Sequence, residues 1–293
     1  MPDIFRFNNV KIVHLEPTTN CNAACPQCLR TRTSFEPNEL SLDDVKSLFT
    51  SDVLTQLDKI YMCGNYGDPA SARQAIEMYE YFKEVNPNIT IGMNTNGGIR
   101  SPEWWSRLAK IMYGPNDYVV FSIDGLEDTN HIYRINVRWS KIIENAKAFI
   151  DNGGKAHWDM LIFEHNKHQV NDAYNLAKSM GFKWFRSKVS RRFQRFPVDN
   201  LSAPIEFKDN RVWNGTIECS AMAENSIFVD ASGKVYPCCW QAEADYKPNI
   251  VQWFYDLSET WNTNPDTICK KSCSRLDSGT PFTNQFIIQT EIK

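Results

Sequence analysis

The stretch 21–28, CNAACPQC, carries Cys21, Cys25 and Cys28 at successive spacings of four and three residues. Spacings this short let one loop curl so that three thiolates reach a single inorganic centre. A structural zinc site takes four protein ligands, but no second cysteine pair follows closely, and the nearest histidine, His14, lies on the preceding predicted strand. Three thiolates with a fourth position open suit a [4Fe–4S] cluster that keeps one iron free for another ligand.

Around this loop, up to about residue 190, short β-branched or aromatic runs alternate with longer amphipathic ones. The predicted strands are Lys11–Glu16, Lys59–Cys63, Thr90–Thr95, Tyr118–Asp124, His157–Phe163 and Lys183–Lys188. Helix-start signals such as Ser41 before LDDVKSLF separate them. Six strands alternating with five helices predict parallel βα units, which either close into a barrel or remain an open doubly wound sheet.

Polar and glycine-rich segments follow five of these strands. They are TTNCNAACPQC, GNYGDP, NGG, DGLED and EHN, in chain order. In a barrel and in an open sheet alike, the ligand site lies where the strands end at their carboxyl termini. The placement therefore predicts one shared site built from these loops.

Composition places the chain among ordinary folded proteins. Of its 293 residues, 42% are hydrophobic and 23% charged, and the net charge of −3 disfavours nucleic acid as a partner. The N-terminus lacks a signal-peptide pattern, and no stretch approaches the ~20 apolar residues needed to span a bilayer. We therefore predict a cytoplasmic protein without a membrane partner. In that reducing compartment, nine cysteines, an odd number, favour metal binding or catalysis over disulfides.

The pattern changes at about residue 206, and five of the nine cysteines lie beyond it. The segment IFVDASGKVYPCC predicts a β-hairpin with its turn at Asp230–Lys234, and a helix follows around Ile250–Trp261. Gly233 supplies the positive φ of such a turn, which returns the chain so that Cys238 can face Cys219. We predict two domains, residues 1–205 and 206–293.

Three other features have plainer interpretations. Cys239 follows Cys238 directly, and neighbouring side chains on a strand point to opposite faces, so Cys239 is predicted outside the site of Cys238. Cys63 is predicted to be a small buried hydrophobe in preference to a catalytic thiol. The run 186–196, RSKVSRRFQRF, carries five basic residues. We interpret it as a solvated connector in preference to a strip that binds phosphate or nucleic acid.

In its motifs the chain resembles the radical S-adenosylmethionine (SAM) superfamily over about residues 9–190. The matching features are CxxxCxxC after the first strand, a glycine-rich segment after the second, TNG after the third and SIDG after the fourth. The resemblance implies a partial (β/α)6 TIM-like barrel. It also implies that Cys21, Cys25 and Cys28 hold a [4Fe–4S] cluster whose unique iron binds the amino and carboxylate groups of SAM.

The resemblance further implies SAM contacts from the loops at the strand ends. The residues at the matching positions are Gly64, Gly67, Asp68, Asn96, Ser122, Asp124, Arg134 and Asn166. Two positions depart from the family pattern. Asp68 stands where the family usually has glutamate, with two residues between the glycines, and Gln27 stands where an aromatic residue usually precedes the third cysteine.

The C-terminal cysteines resemble those of the twitch domain, a truncated form of the SPASM domain. That resemblance implies a small β-hairpin plus helix domain holding one auxiliary [4Fe–4S] cluster. Its ligands would be Cys219, Cys238, Cys269 and Cys273. A four-thiolate zinc site is the alternative, and it could not pass electrons.

The implied activity is that of a radical SAM oxidoreductase. One electron from a flavodoxin- or ferredoxin-type donor would cleave SAM to a 5′-deoxyadenosyl radical, which abstracts hydrogen from a small-molecule or peptide substrate. The auxiliary cluster would accept an electron in an oxidative reaction. A peptide- or protein-modifying enzyme and a non-catalytic metal-binding module are the alternatives. Loop position makes Tyr133, Arg134, Glu164 and His165 candidates for a catalytic base and selects none of them.

Overall fold

The computed structural model describes residues 9–190, 192–193, 195–204, 216–274 and 288–292. Arg191 of the basic run lies outside the described residues, as does the predicted domain boundary between residues 205 and 206.

The strands form one sheet at the centre of the described structure. They are β1 (Ile12–Leu15), β2 (Lys59–Met62), β3 (Thr90–Thr95), β4 (Tyr118–Ser122), β5 (Ala156–Ile162), β6 (Trp184–Val189), β7 (Ser226–Val229), β8 (Val235–Tyr236) and β9 (Ile288–Glu291). Their order across the sheet is β8-β7-β1-β2-β3-β4-β5-β6-β9. Strands β1 to β6 are parallel and neighbour one another in chain order. The six strands predicted for this region are therefore confirmed, each with its ends within two residues.

Helices lie between the strands in chain order. They are α1 (Leu29–Arg32), α2 (Leu42–Leu48), α3 (Ser51–Gln56), α4 (Ala75–Val85), α5 (Pro102–Ile111), α6 (Asn130–Tyr133), α7 (Trp139–Asp151), α8 (Val170–Met180), α9 (Ser220–Ala223), α10 (Ile250–Glu259) and α11 (Thr267–Cys273). Ser41 caps α2 as predicted, because its side chain accepts a hydrogen bond from the backbone N–H of Asp44. The result is an α/β fold with a parallel sheet, consistent with the predicted partial TIM-like barrel. No helix within the described ranges is long and apolar enough to cross a membrane.

The core lies between the outer face of the sheet and the helices. Phe121 of β4 packs against Trp105 of α5 and Phe149 of α7, with ring centroids 5.2 and 6.1 Å away. All three side chains are fully buried. Burial of large aromatic groups on this face stabilises the sheet. The side chains on the opposite, inner face are therefore not needed for this core.

The inner face carries a layer of stacked rings on β1, β2, β4 and β5. His14 stacks on Tyr61, with centroids 4.6 Å apart, and Tyr118 stacks on His157 at 5.3 Å. Burial lowers the pKa of His14 to about 4, so its ring is neutral and donates to the carbonyl oxygen of Cys63. Because side chains on one face recur every second residue, residues further along these strands face the same space above the rings.

The C-terminal third completes the sheet at both edges. The predicted hairpin is confirmed, with β7 and β8 antiparallel and Gly233 at φ +80° in its turn. Sequence patterning did not predict that β7 pairs in parallel with β1, or that β9 in the tail pairs antiparallel with β6. Both strands cover edges that would otherwise present unpaired backbone groups.

Cys238 and Cys239 occupy different surroundings at the end of this hairpin. Cys238 packs against the main core, and Cys239 packs against a small second core of Phe228, Tyr236 and Trp253. The prediction that the two neighbouring side chains diverge is therefore confirmed.

Candidate active site

A cavity of about 1000 Å³ opens where the parallel strands end. The loops after β1, β2, β3 and β4 contribute to its wall, as predicted for a shared site. Its lining includes the predicted site residues Cys21, Cys25, Cys28, Gly64, Gly67, Asp68, Asn96, Ser122, Asp124 and Arg134. Asn166 of the loop after β5 does not line it.

The three cysteines of the β1 loop share the wall of this cavity. Cys25 is buried, and Cys21 and Cys28 are half-buried. Burial raises the pKa of the Cys21 thiol to about 12 and also raises that of Cys25. Such thiols are neutral until a metal centre displaces their protons. Soft sulfur ligands on one short loop fit an iron–sulfur cluster, as the CxxxCxxC spacing predicts.

Within the described parts of the chain, no three His, Cys, Asp or Glu side chains lie close enough together to hold a single metal ion. Cys21, Cys25 and Cys28 nevertheless all line the same cavity. A four-iron cluster is wider than one ion, so the arrangement fits the cluster without requiring the thiols to touch.

Arg134 lies directly over the β1 loop. Its Nε donates to Asp124 Oδ2 at 2.7 Å, and its Nη1 lies 3.7 Å from the Sγ of Cys25. Burial lowers the pKa of Arg134, but Asp124, Cys25 and Tyr133 together outweigh burial and raise the pKa, so the guanidinium stays charged. Asp124 is itself fully buried and also accepts the backbone N–H of Leu161 at 2.6 Å. A fixed positive charge therefore stands beside a predicted cluster ligand.

Asp68 and Asn96 join the loops after β2 and β3. Asp68 accepts hydrogen bonds from the Thr95 hydroxyl at 2.8 Å and from the backbone N–H of Asn96 at 2.7 Å. The side-chain amide of Asn96 donates to Asn22 at 2.9 Å and lies 3.7 Å from Cys21 Sγ. Asp68 thus positions the loops through these bonds, and its contact with SAM stays a prediction.

The glycines of the GNYGDP loop sit where no side chain fits. A Cβ on Gly67 would lie 1.7 Å from the carbonyl oxygen of Thr18, and one on Gly64 would lie 2.2 Å from the carbonyl oxygen of Gly67. The Glu16 carboxyl group fixes the loop by accepting hydrogen bonds from the backbone N–H groups of Tyr66 and Gly67, at 2.6 and 2.9 Å. Close backbone packing therefore requires glycine here, whatever the loop binds.

We expect Gly67→Ala to destabilise the protein by about 3 kcal/mol, because the new methyl group overlaps a backbone atom that no rotamer change can move. The midpoint of urea unfolding measures this. Gly153→Ala is the control, because a Cβ there meets nothing within 4 Å and pays only for its φ of +90°. Equal midpoints for the two variants would contradict the expected overlap.

Glu16 predicts a pH dependence of stability. Burial raises its pKa from 4.5 to about 7, against the opposing hydrogen bonds from Gly67 and Tyr66. The folded protein therefore binds the proton more tightly than the unfolded chain. Protonated Glu16 therefore contributes its full stabilisation of the folded state below pH ~4.5. This contribution, about 3 kcal/mol, is lost as the pH rises through ~7.

Glu16→Gln keeps an acceptor oxygen and removes this proton. We expect the unfolding free energy of this variant to fall less than that of the wild type between pH 5 and pH 8. Urea titration of the full chain measures both. Glu127→Gln, at an exposed position, is expected to keep the wild-type slope. A Glu16→Gln slope that matches the wild type would show that Glu16 does not titrate in this range.

Other predicted residues are used in different ways. The side chain of Asn166 is fully buried, donates to the carbonyl oxygens of Asp124 and Leu161 at 2.8 and 2.9 Å, and accepts the N–H of Phe163 at 2.7 Å. Its role in binding SAM stays a prediction. Of the four candidate bases, Tyr133 and Arg134 line the cavity, whereas Glu164 and His165 do not.

Gln27 has a role that its position in the motif did not predict. It is fully buried, its Oε1 accepts the hydroxyl of Ser190 at 2.6 Å, and its Nε2 donates to the carbonyl oxygen of Phe196 at 3.2 Å. Its backbone oxygen accepts Arg192 Nη1 at 2.8 Å. Gln27 thereby ties the cysteine loop to the segment that follows β6. These partners are more than 160 residues away in sequence, so no local pattern could reveal them.

Much of the basic run 186–196 belongs to the cavity. Arg186 forms two hydrogen bonds of 2.7 Å with Asp159, and Lys188, Arg192 and Arg195 also line the wall. The interpretation as a solvated connector is wrong for Arg186, Lys188 and Arg192, which are half-buried. The curvature of the sheet, which turns the inner face of β6 toward the cysteine loop, accounts for the difference.

Cys219, Cys238, Cys269 and Cys273 line a second, small and mostly apolar cavity. Burial raises the pKa of Cys238 to about 12 and that of Cys269 to about 11, and it also raises the pKa values of the other two thiols. Cys269 and Cys273 lie on α11, whose Lys270 and Lys271 line the large cavity. This one helix therefore separates the four-cysteine cavity from the large one.

Comparison with known proteins identifies related sequences and folds. A sequence-family model described as the Radical SAM superfamily matches residues 15–177. A tungsten-containing aldehyde ferredoxin oxidoreductase cofactor-modifying protein from Pyrococcus furiosus is 27% identical over 124 residues. That match covers 42% of this chain and 33% of the relative, about a third of its length.

Two solved structures share the fold. SuiB from Streptococcus suis bound to S-adenosylmethionine has a TM-score of 0.61 at 16% identity, over 87% of this chain and 66% of that one. Native anSMEcpe with bound AdoMet has a TM-score of 0.59 at 17% identity, over 96% of this chain and 93% of that one. Further structures of the two hold a peptide, the precursor peptide SuiA in SuiB and Cp18Cys in anSMEcpe.

Proposed function

Because the chain belongs to the radical SAM superfamily, we propose that it is an enzyme that binds SAM at a [4Fe–4S] cluster held by Cys21, Cys25 and Cys28. The observation that carries the proposal is that all three cysteines of the β1 loop line the cavity at the strand ends. When bound, the cluster and SAM supply a 5′-deoxyadenosyl radical by one-electron cleavage of the sulfonium, and this radical removes hydrogen from the substrate.

The chain's own residues would prepare this site in three ways. Arg134 holds a positive charge beside Cys25, where it can pair with the carboxylate of SAM. Glu16 and Asp68 fasten the GNYGDP loop, whose backbone would face the amino group of SAM. Ser122 lines the cavity at the end of β4, where hydrogen bonding to the ribose is expected. Asp124, Asn96 and Asn166 would support these contacts by fixing Arg134 and the loop ends.

We further propose that Cys219, Cys238, Cys269 and Cys273 form a twitch-like auxiliary [4Fe–4S] site. Its place behind α11, next to the large cavity, supports a role as electron acceptor in an oxidative reaction. Four thiolates leave no iron open for substrate, which suits an acceptor better than a substrate anchor. The enzyme would then be a radical SAM oxidoreductase, with residues 1–205 as the partial barrel and 206–293 as the auxiliary domain.

Two substrate classes follow from different observations. A cavity of about 1000 Å³ that must also hold SAM leaves room for a small molecule. The peptide-bound SuiB and anSMEcpe structures, which share the fold, favour a peptide-modifying reaction as the second candidate. In both cases we propose a flavodoxin- or ferredoxin-type protein as the source of the electron.

The test is anaerobic reconstitution of the full chain with iron and sulfide, followed by dithionite and SAM. We expect a brown protein that produces 5′-deoxyadenosine. A colourless zinc protein without SAM cleavage would favour the metal-binding module and overturn the enzyme. Deuterated pools of small molecules and of peptides, with deuterium traced into 5′-deoxyadenosine, then distinguish the two substrate classes.

A further inference from the structure

The large cavity has an excess of positive charge. Among the residues that the structure describes, seven basic side chains line it, against four carboxylates. Three of the carboxylates already face a basic partner, in the pairs Arg134–Asp124, Arg186–Asp159 and Arg195–Glu243. Whatever the pairing within this described lining, its four carboxylates neutralise at most four of its seven cations. The whole chain, by contrast, is slightly acidic at −3, so the excess is local.

The remaining basic residues come from two sides of the cavity. Lys188 lies on β6 and Arg192 on the segment after it, whereas Lys270 and Lys271 lie on α11. We call these four the cationic wall. Arg192 is held against the cysteine loop by its hydrogen bond to the carbonyl oxygen of Gln27, the residue before Cys28. Arg192 therefore places one part of the cationic wall beside the predicted reactive centre.

SAM does not account for this charge. Bound to iron through its amino group, SAM carries one sulfonium against one carboxylate, so it brings no net negative charge to the cavity. Its carboxylate already has a candidate partner in Arg134. Concentrating like charges in a partly desolvated cavity costs free energy unless an anion binds there.

We propose that the substrate carries an oxyanion, a carboxylate or a phosphate group, which binds against the cationic wall between β6 and α11. Substrate recognition of this kind rests on the proposed radical SAM activity and names its substrate class, a small anionic molecule. Lysine and arginine bind both oxyanions through charge-assisted hydrogen bonds. Holding the anionic end at the wall places the rest of the molecule beside the cysteine loop.

The test uses reconstituted holoenzyme loaded with SAM, without reductant, in low-salt buffer. Binding of succinate, inorganic phosphate, neutral erythritol and cationic putrescine is measured by isothermal titration calorimetry under anaerobic conditions. We expect an anion to bind, more weakly as salt is added, and the neutral and cationic probes not to bind. Tighter binding of phosphate assigns a phosphate ester, and tighter binding of succinate assigns a carboxylic acid.

Matched double variants test whether the anion binds at the cationic wall. Lys188→Gln with Lys271→Gln is expected to weaken anion binding at least about tenfold. Lys188→Arg with Lys271→Arg keeps the charge and is expected to retain binding. The control, Lys147→Gln with Lys178→Gln, removes two exposed charges from the outer helices α7 and α8 and is expected to bind like the wild type. Iron content checks that each variant is folded and loaded.

Selective binding of erythritol or putrescine, or equal anion binding by the glutamine variant and the wild type, would overturn the cationic wall as a substrate site. Neither result bears on SAM cleavage. Failure of the wild type to form 5′-deoxyadenosine with dithionite would instead overturn the proposed function, whatever the titrations give.

Discussion

Replacing Cys21, Cys25 or Cys28 singly with alanine is expected to reduce SAM cleavage to the level of a protein-free control. All three cysteines line the cavity, and the β1 loop offers no fourth cysteine to substitute for a lost ligand. With only two thiolates, two irons would lack a protein ligand, so we expect the whole cluster to be lost together with the iron at which SAM is expected to bind. The measurement is the amount of 5′-deoxyadenosine formed after anaerobic reconstitution and reduction with dithionite.

Cys63→Ala is the matched control for these variants. Cys63 lines the same cavity, and burial raises the pKa of its thiol to about 12, but it lies outside the CNAACPQC loop. We expect this variant to keep its brown colour and its SAM cleavage. If Cys63→Ala were as inactive as Cys25→Ala, the assignment of the cluster to the β1 loop alone would be wrong.

Replacing Cys219 with alanine is expected to remove about half of the bound iron, from about eight to about four atoms per chain, and to leave SAM cleavage measurable. Loss of one of four ligands disrupts the auxiliary site, while the β1 loop lies in a different cavity. Turnover of substrate is expected to fall much further than SAM cleavage, because the electron released after hydrogen abstraction would lose its acceptor. Iron analysis and a comparison of product with 5′-deoxyadenosine measure the two effects.

Cys239→Ala is the control for the auxiliary site. Its neighbour Cys238 lines the four-cysteine cavity, whereas Cys239 packs against the second core of Phe228, Tyr236 and Trp253. We expect Cys239→Ala to retain all of its iron. A second test changes Cys219, Cys238, Cys269 and Cys273 together to alanine. If this variant loses no iron, the chain has no auxiliary cluster. If it loses zinc in place of iron, the four thiols form a zinc site.

Local sequence signals predicted the parallel part of the fold well. The alternation of strand and helix patterns, with caps such as Ser41, located the parallel strands β1 to β6 and placed the cysteine loop at their carboxyl ends. These features could be predicted because spacing, periodicity and capping act between residues close together in the chain. The turn at Gly233 belongs to the same group, since a positive φ is a property of that one position.

Contacts between distant segments decided the rest. Three features depend on how the sheet curves and how the C-terminal third packs on it. They are the pairing of β7 with β1, the hydrogen bond between Gln27 and Ser190, and the position of α11 between two cavities. The basic run shows the difference most clearly. Its composition alone is compatible with a solvated segment, and only the curvature that turns β6 inward places Lys188 and Arg192 in the cavity. The sequence by itself thus determined which cysteines, strands and loops build the site. The tertiary structure decided which charges face it, because a side chain's environment depends on all the segments that pack around it.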